Sequence, residues 1–148
     1  MVDEMNPSPE QARLRSLAEF RFQMRKFLSF SEMASERLGI PAQQYQLMQV
    51  IAAMPEDQQS SITYLAERMI LRHNSTVELV DRAERAGLVS RATDPKDMRR
   101  SLVHLTPEGQ RILQRLVAEH LNELAPRCEQ LIHALRELQG SVEQQTNQ

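Results

Sequence analysis

The 148-residue chain has few of the residues on which disulfide scaffolds, phosphate-binding loops and membrane spans depend. Its single cysteine, Cys128, excludes an internal disulfide and agrees with a reducing compartment. Its four glycines are scattered, so no glycine-rich loop is present to cradle a phosphate. No uninterrupted apolar run follows the charged first thirty residues, and the sequence therefore predicts neither a signal peptide nor a transmembrane helix. We expect a cytoplasmic protein.

Positive charge is concentrated in the middle third of a chain whose net charge is only −2. Between Ser61 and Thr106 there are eight basic residues, mostly arginine, against six acidic ones, whereas residues 41–60 contain no lysine or arginine. A composition of 41% apolar and 26% charged residues fits one globular domain. Charge alone is more typical of a solvated surface, so the place of these arginines in the fold must decide whether they bind a partner.

Apolar periodicity predicts long helices at both ends of the chain. In residues 10–38, apolar side chains recur at steps of three and four, and Phe22, Phe30 and Met33 fall off that stripe. A second stripe occupies residues 107–140. A helix that is apolar on more than one face needs two partners, so we expect a homodimer built from these terminal helices. The alternative is an intrachain hairpin of the two ends.

The middle of the chain predicts a helix-turn-helix followed by a β-hairpin. Ser61 fits the cap of a short amphipathic helix, and after a tight turn a second helix occupies residues 75–86 and ends at Gly87. One face of this second helix is apolar and the other is polar, which is the helix-turn-helix arrangement. Residues 88–92 and 101–105 resemble two strands around a basic loop. We therefore predict a mainly α fold with a small β-hairpin wing, namely a winged helix-turn-helix with N- and C-terminal dimerisation helices.

Domain boundaries follow from these patterns. The polar start with its two prolines predicts a flexible N-terminus, and the polar sequence after Gly140 predicts a loose tail. The expected organisation is a flexible segment at 1–9, dimerisation helices at 10–40 and 107–140, a winged helix-turn-helix at 41–106 and a flexible tail at 141–148.

Four segments of the sequence resemble the multiple antibiotic resistance regulator (MarR) family. They are Leu65–Arg68, Ser75–Val89 (STVELVDRAERAGLV), Asp97–Arg100 and Leu105–Gly109, and together their order and spacing are specific although each alone is weak. The resemblance implies a homodimer in which the second helix of each motif enters the major groove of operator DNA and each wing tip enters a flanking minor groove. It also implies a transcriptional regulator, commonly a repressor, which in many members leaves a pseudo-palindromic operator when a small phenolic or other lipophilic ligand binds.

The resemblance also selects the side chains expected to contact DNA. At the recognition helix, Asn74 and Ser75 can bond base edges or phosphates, and Ser75 can also cap the helix. At the wing, Asp97 can aim Arg99 into the narrow minor groove. Basic side chains nearby suit phosphate oxygens, which fix register without reading sequence. The predicted DNA-binding set is Arg72, His73, Asn74, Ser75, Glu78, Arg82, Lys96, Asp97, Arg99 and Arg100.

Two residues depart from the family pattern. Glu78 stands where the family often has arginine or another non-acidic residue, and an acid that faces DNA costs affinity unless it accepts from a cytosine amino group. Ala83 stands where leucine is usual, so the core beside it must be filled from elsewhere. Both departures leave the family resemblance intact and the operator sequence open.

Other functions find less support in the sequence. Because no phosphate loop is present and Cys128 is expected to be a packed thiol, we expect no enzyme activity and no cofactor. His120 with Glu119 and Glu123 is more typical of a helix surface than of a metal site, so no metal is expected. The candidates for a ligand pocket are Phe20, Phe27, Phe30, Tyr45 and Tyr64, although core positions are the commoner use of such residues. The competing function is a dimeric adapter whose winged helix binds protein and not DNA, which the basic wing disfavours.

Overall fold

The computed structural model describes residues 7–146 of the chain and the side chains of residues 7–143. Its elements are α1 (Pro9–Arg37), α2 (Ala42–Ala52), α3 (Ile62–Met69), α4 (His73–Arg85), β1 (Val89–Thr93), β2 (Ser101–Leu105), α5 (Pro107–Leu124), a 3-10 turn (Ala125–Arg127) and α6 (Cys128–Thr146). The two strands form one antiparallel sheet in which Val89 is opposite Leu105 and Thr93 is opposite Ser101. This architecture confirms the predicted mainly α fold with a β-hairpin wing.

The chain forms two compact units. The winged unit is Glu32–Glu119, and the terminal unit comprises the described residues 7–31 and 120–146. The unit boundaries therefore fall inside α1 and α5, whereas the predicted domain boundaries lie at the ends of these helices. The difference arises because Ala34 of α1 and Leu116 of α5 are buried residues that belong to the winged unit.

The winged unit has an apolar core that all of its elements supply. On α4, the predicted inward residues Thr76, Leu79, Val80 and Ala83 are all buried, which confirms the two faces expected for this helix. The other fully buried side chains of the core are Leu47 and Met48 on α2, Leu65 on α3, Leu88, Val89 and Val103 at the hairpin, and Leu116 on α5. Burial of this kind is the main favourable term in folding, so one copy of the winged unit carries its own core.

Local signals set the ends of α3 and α4. Ser61 caps α3, and its Oγ accepts a hydrogen bond from the Tyr64 amide at 3.2 Å, as predicted. The helix ends at Ile70, whose φ of 55° lies in the left-handed region that a β-branched residue rarely adopts. α4 begins at His73, two residues earlier than predicted, and the φ of 75° at Gly87 lets the chain turn from α4 into β1.

Main-chain bonds attach the hairpin to the start of α3. Leu102 of β2 forms an antiparallel bridge with Ser61, and the Val103 amide donates to the Ser60 carbonyl at 3.0 Å. An isolated bridge therefore joins the segment before α3 to β2, beside the two-stranded sheet.

A second set of bonds attaches the start of α5 to the segment before β1. The Thr106 hydroxyl donates to the Gly87 carbonyl at 2.6 Å, and the Thr106 amide donates to the Leu88 carbonyl at 3.0 Å. The Gly109 amide donates back to the Thr106 hydroxyl oxygen at 3.0 Å, so Thr106 caps α5 as predicted. Gly109 approaches Leu88 so closely that a Cβ at this position would lie 2.1 Å from the Leu88 oxygen.

The terminal unit contains a buried histidine where the sequence predicted an exposed one. His120 is only 6% exposed, and its Nε2 lies 2.8 Å from Ser31 Oγ. The rings of Phe27 and Phe30 meet it edge-on, with centroid distances of 6.2 and 5.4 Å. The surface prediction was wrong because His120 follows Leu116 by four residues and so continues the buried stripe of α5.

Two further expectations for the terminal unit were wrong. Cys128 is exposed and not packed, and its thiol donates to the Leu124 carbonyl at 3.3 Å. The 3-10 turn before it shifts the phase of the apolar stripe, which the sequence had extended across Pro126 without a break. α6 continues past Gly140 to Thr146, so the predicted loose tail is helical as far as it is described. Residues 1–6 and 147–148 of the predicted flexible ends lie outside the described residues.

Candidate nucleic-acid interface

The outward face of α4 carries the predicted base- and phosphate-contacting side chains. The exposed residues at the start of this helix and along it are Arg72, His73, Asn74, Ser75, Glu78 and Arg82. Asn74 and Ser75 lie in the first turn, where backbone amides lack intrahelical acceptors and are available to an anion. The helix has no side-chain cap, so Ser75 does not play the capping role suggested by the sequence.

Main-chain bonds shape the tip of the wing between β1 and β2. The Asp94 amide donates to the Arg100 carbonyl and the Arg100 amide donates to the Asp97 carbonyl, both at 2.9 Å. Asp94 is buried, and its Oδ1 accepts from the Lys96 amide at 2.9 Å. These bonds fold the basic loop into a compact turn, so the cationic side chains at its tip start from a defined backbone.

Arg99 extends from this tip into solvent. Its side chain is 93% exposed, whereas that of Asp97 is 38% exposed. Asp97 Oδ1 accepts from the Arg99 amide at 3.1 Å and lies 3.5 Å from Arg99 Nε. An exposed pair of this kind adds little stability. Its consequence is that it restricts the direction in which the Arg99 side chain leaves the wing.

Arg91 on β1 is the functional candidate that sequence reasoning missed. Its Nη1 lies 2.5 Å from Asp81 Oδ1 and 3.5 Å from Glu84 Oε1, and both acids belong to α4. Its backbone amide donates to Glu84 Oε2 at 3.0 Å, and Nη2 donates to the Val77 carbonyl at 3.4 Å. The signal in the sequence was a pair of acids three residues apart on the recognition helix, followed by one arginine on the next strand.

The other basic residues of the interface expose their side chains to solvent. Among the described side chains, no carboxylate forms an ion pair with Arg72, Arg82 or Arg100. Lys96 and Arg100 line an open groove together with Glu56, Asp57 and Glu67, and these acids reduce the positive potential around both cations. Glu78 is exposed on the same helix face as Arg82, four residues away, so the face is mixed in charge.

The five aromatic residues predicted to line a ligand pocket have different surroundings. Phe20, Phe27 and Phe30 belong to the terminal unit, where the last two contact the His120 ring. Tyr45 is 2% exposed in the core of the winged unit, and this burial raises the pKa of its hydroxyl. Tyr64 borders the open polar groove that contains Lys96. The ligand pocket stays a prediction.

The described part of the chain contains neither a cluster of metal ligands nor a membrane-spanning helix. No group of three or more His, Cys, Asp or Glu side chains between residues 7 and 143 is placed to hold a metal ion. No helix within residues 7–146 is long and apolar enough to cross a membrane.

Comparison with known proteins points to one family. Residues 38–100 match the model of the MarR family. A transcriptional regulatory protein for the hcr operon of Thauera aromatica is 35% identical over 96 residues, which are 65% of this chain and 56% of that protein. The chain spans about half the length of the curated relatives it matches.

Solved structures extend the match to the fold. The PcaV transcriptional regulator of Streptomyces coelicolor, in complex with its natural ligand, is 29% identical and has a TM-score of 0.53, with 70% of this chain and 76% of that chain covered. The MepR–DNA complex of S. aureus is 20% identical with a TM-score of 0.59, and the match covers 83% of this chain and 97% of that chain. Together with the helix-turn-helix and wing described above, these matches show that the chain shares a winged helix-turn-helix fold with the PcaV and MepR structures and that its residues 38–100 are similar to the MarR family.

Proposed function

We propose that two copies of this chain bind operator DNA and repress transcription, and that a small lipophilic ligand releases them. The observation that carries the DNA-binding part is the pairing of an exposed polar recognition helix with a hairpin whose tip presents Arg99 at 93% exposure. α4 would enter the major groove, and the wing would enter the minor groove that flanks each half-site.

The number of exposed arginine side chains supports this docking. Arg72, Arg82, Arg99 and Arg100 are exposed, and arginine is suited to phosphate oxygens and to a narrow minor groove. The first-turn amides of α4 add donors that favour phosphate. Glu78 opposes this attraction, so its place in the interface requires a donor, such as a cytosine amino group.

The apolar surface of the terminal unit supports the homodimer. Leu14 and Leu28 of α1 are 66% and 51% exposed, Leu121 of α5 is 61% exposed, and Leu135 and Val142 of α6 are 50% and 61% exposed. Large apolar surfaces on soluble proteins commonly mark interaction sites. A second copy offers the same side chains, and a twofold pair would fix two recognition helices about 10 bp apart on a pseudo-palindromic operator.

Repression, release by a ligand and a cytoplasmic location complete the proposal. PcaV, the relative at 29% identity, was solved with a ligand, which supports an effector for this chain. The aromatic residues of α1 are the candidates to contact it. A regulator of this kind works where the chromosome is, which supports the cytoplasm.

The test is a gel-shift experiment with genomic fragments of the source organism, followed by sequencing of the bound DNA. We expect a sharp set of bound fragments that share an inverted repeat. If about four cations in each of two copies touch DNA phosphates, about eight phosphates are neutralised and the slope of log K against log salt is about −7. A slope shallower than about −3 would show that these arginines are a solvated face. Absence of any DNA binding would favour the protein-binding adapter.

A further inference from the structure

The most extensive polar contact in the winged unit joins the hairpin to the recognition helix. The Arg91 guanidinium contacts Asp81, Glu84 and the Val77 carbonyl, so three successive turns of α4 are tied to one residue of β1. Its side chain is 26% exposed, compared with 93% for Arg99, which shows how much of Arg91 is enclosed by these contacts.

The position of Arg91 in the hairpin allows these bonds to restrict the movement of the wing tip. Arg91 is opposite Val103 in the middle of the strand pairing, and β1 ends two residues later. Main-chain bonds to Ser60 and Ser61 hold the β2 side of the hairpin, whereas Arg91 holds the β1 side against α4. The tip that carries Arg99 lies beyond both attachments. Loss of the Arg91 contacts would leave β1 held only near its start, by the bonds of Leu88 and by buried Val89, and would make the tip freer to swing.

A groove of about 430 Å³ between α4 and the hairpin shows that the two DNA-reading elements share a surface. It is lined by His73 and Val77 of α4 and by Arg91, Arg99 and Ser101 of the hairpin region. Arg91 and its partner Asp81 both line this groove, so their ion pair joins its hairpin side to its α4 side. Because Asp81 and Glu84 already neutralise Arg91, this arginine is poorly suited to a phosphate, unlike the unpaired arginines nearby.

We infer that Arg91 is a positioning residue for DNA recognition: it fixes the wing relative to the recognition helix, so that Arg99 reaches the minor groove when α4 occupies the major groove. The inference rests on the proposed DNA-binding function. Arginine is required because its planar guanidinium bonds two carboxylates and a carbonyl at once, which a lysine ammonium on a flexible stem does not do with fixed geometry.

A double-mutant cycle tests this inference. The probe is a duplex selected by the wild-type protein from a random library, with A·T flanks. We expect Arg99→Ala to weaken binding about 10-fold in the wild-type background and only about twofold in the Arg91→Ala background, because a displaced wing no longer delivers Arg99. Ser75→Ala acts at α4 and should weaken binding by the same factor in both backgrounds. Arg111→Ala, an exposed ion-paired arginine on α5, is the matched control and should leave the Arg99 effect unchanged.

Variants of the acidic partners distinguish a positioning role of Arg91 from a purely electrostatic role. Asp81→Asn and Glu84→Gln remove negative charge and release Arg91, so a purely electrostatic role predicts tighter binding with the full Arg99 effect retained. Positioning predicts that the Arg99→Ala effect shrinks, as it does in Arg91→Ala. Arg91→Lys should also show the reduced Arg99 effect, although its charge is kept.

The results of this experiment distinguish failure of the positioning role from failure of the proposed DNA-binding function. A wild-type protein that selects no duplex would overturn the proposed function. A selected duplex together with an undiminished Arg99→Ala effect in the Arg91 and Asp81 variants would overturn the positioning role alone. Thermal unfolding by circular dichroism identifies variants that are not folded at the assay temperature. If Arg91→Ala is not folded, the Arg99→Ala effect is measured in the Asp81→Asn background, and that result decides the positioning role.

Discussion

The winged unit and the terminal unit differ in how far they bury their apolar side chains. In the winged unit, Leu47, Leu65 and Leu79 are fully buried, whereas Leu14 and Leu121 of the terminal unit are 66% and 61% exposed. Both units come from one chain with one composition, so the difference lies in arrangement. The winged unit closes its core within one copy, whereas the terminal unit leaves apolar side chains exposed on the surface that we propose for the second copy.

Two exposed large apolar side chains of the winged unit lie in its turns, and a third, Met33 on α1, is 58% exposed. Ile70, between α3 and α4, is 91% exposed, and Met98, at the tip of the wing, is 84% exposed. Both flank elements that are proposed to touch DNA. The two exposed apolar residues in the turns of this unit therefore lie beside its proposed DNA-binding edge, whereas those of the terminal unit lie on helix faces.

Two glycines give the largest expected contrast between the units. Gly109→Ala places a Cβ 2.1 Å from the Leu88 oxygen, so α5 must shift away from the hairpin, and we expect the free energy of unfolding to fall by about 3 kcal/mol. A Cβ at Gly140 on α6 would have no neighbouring atom within 4 Å. Gly140→Ala should therefore raise the free energy of unfolding by about 0.5–1 kcal/mol, because alanine is the better helix former. Chemical denaturation of both variants checks this. Equal effects at the two positions would contradict the contrast.

A charge on the terminal unit should separate the copies. Leu135 is 50% exposed on α6, and Leu135→Lys should give a monomer at micromolar concentration because an unpaired charge is costly in an apolar interface. The coupling between two half-sites would then be lost, and DNA affinity should fall about 100-fold. Gln130→Lys, at an exposed polar position of the same helix, is the matched control. Light scattering gives the mass; a Leu135→Lys protein with the wild-type dimer mass would show that α6 is not the interface.

The smallest expected effect concerns the turn of the winged unit. Ile70 holds a φ of 55° that costs a β-branched residue about 1 kcal/mol, and its exposed side chain gains no packing in return. Ile70→Asn should therefore raise the free energy of unfolding by about 1 kcal/mol, because asparagine tolerates this region. Ile70→Val keeps the branch and should leave stability nearly unchanged. A destabilised Ile70→Asn protein would mean that Ile70 packs against another surface.

The parts of the fold that local signals determine could be predicted from the sequence. Ser61 and Thr106 cap helices, Gly87 ends one, and the apolar spacing of α4 gives its inward face correctly. These features depend on residues within a few positions of each other. The wing turn is of the same kind, since its Asp-Pro sequence and polar loop are local signals.

The parts that depend on contacts across the chain were missed or wrong. The Arg91 clamp requires the distance between β1 and α4, which no spacing rule supplies. The polar partner of buried His120 is Ser31, 89 residues away, which no local pattern identifies. Cys128 is exposed because a single 3-10 turn changes the helix phase. Small shifts in helix phase and long-range pairs are therefore the main limits of sequence reasoning here.

In the proposed complex, α4 and the wing read neighbouring grooves of one DNA site. Hydroxyl radicals cleave DNA from the minor groove, so a footprint on the selected duplex reports wing contacts directly. At saturating protein, we expect the wild type to protect the minor groove on the outer side of each half-site. Arg99→Ala should lose this outer protection and keep the protection between the half-sites. A footprint that is identical for the wild type and Arg99→Ala would contradict the claim, because the hairpin would then not be a DNA-reading wing.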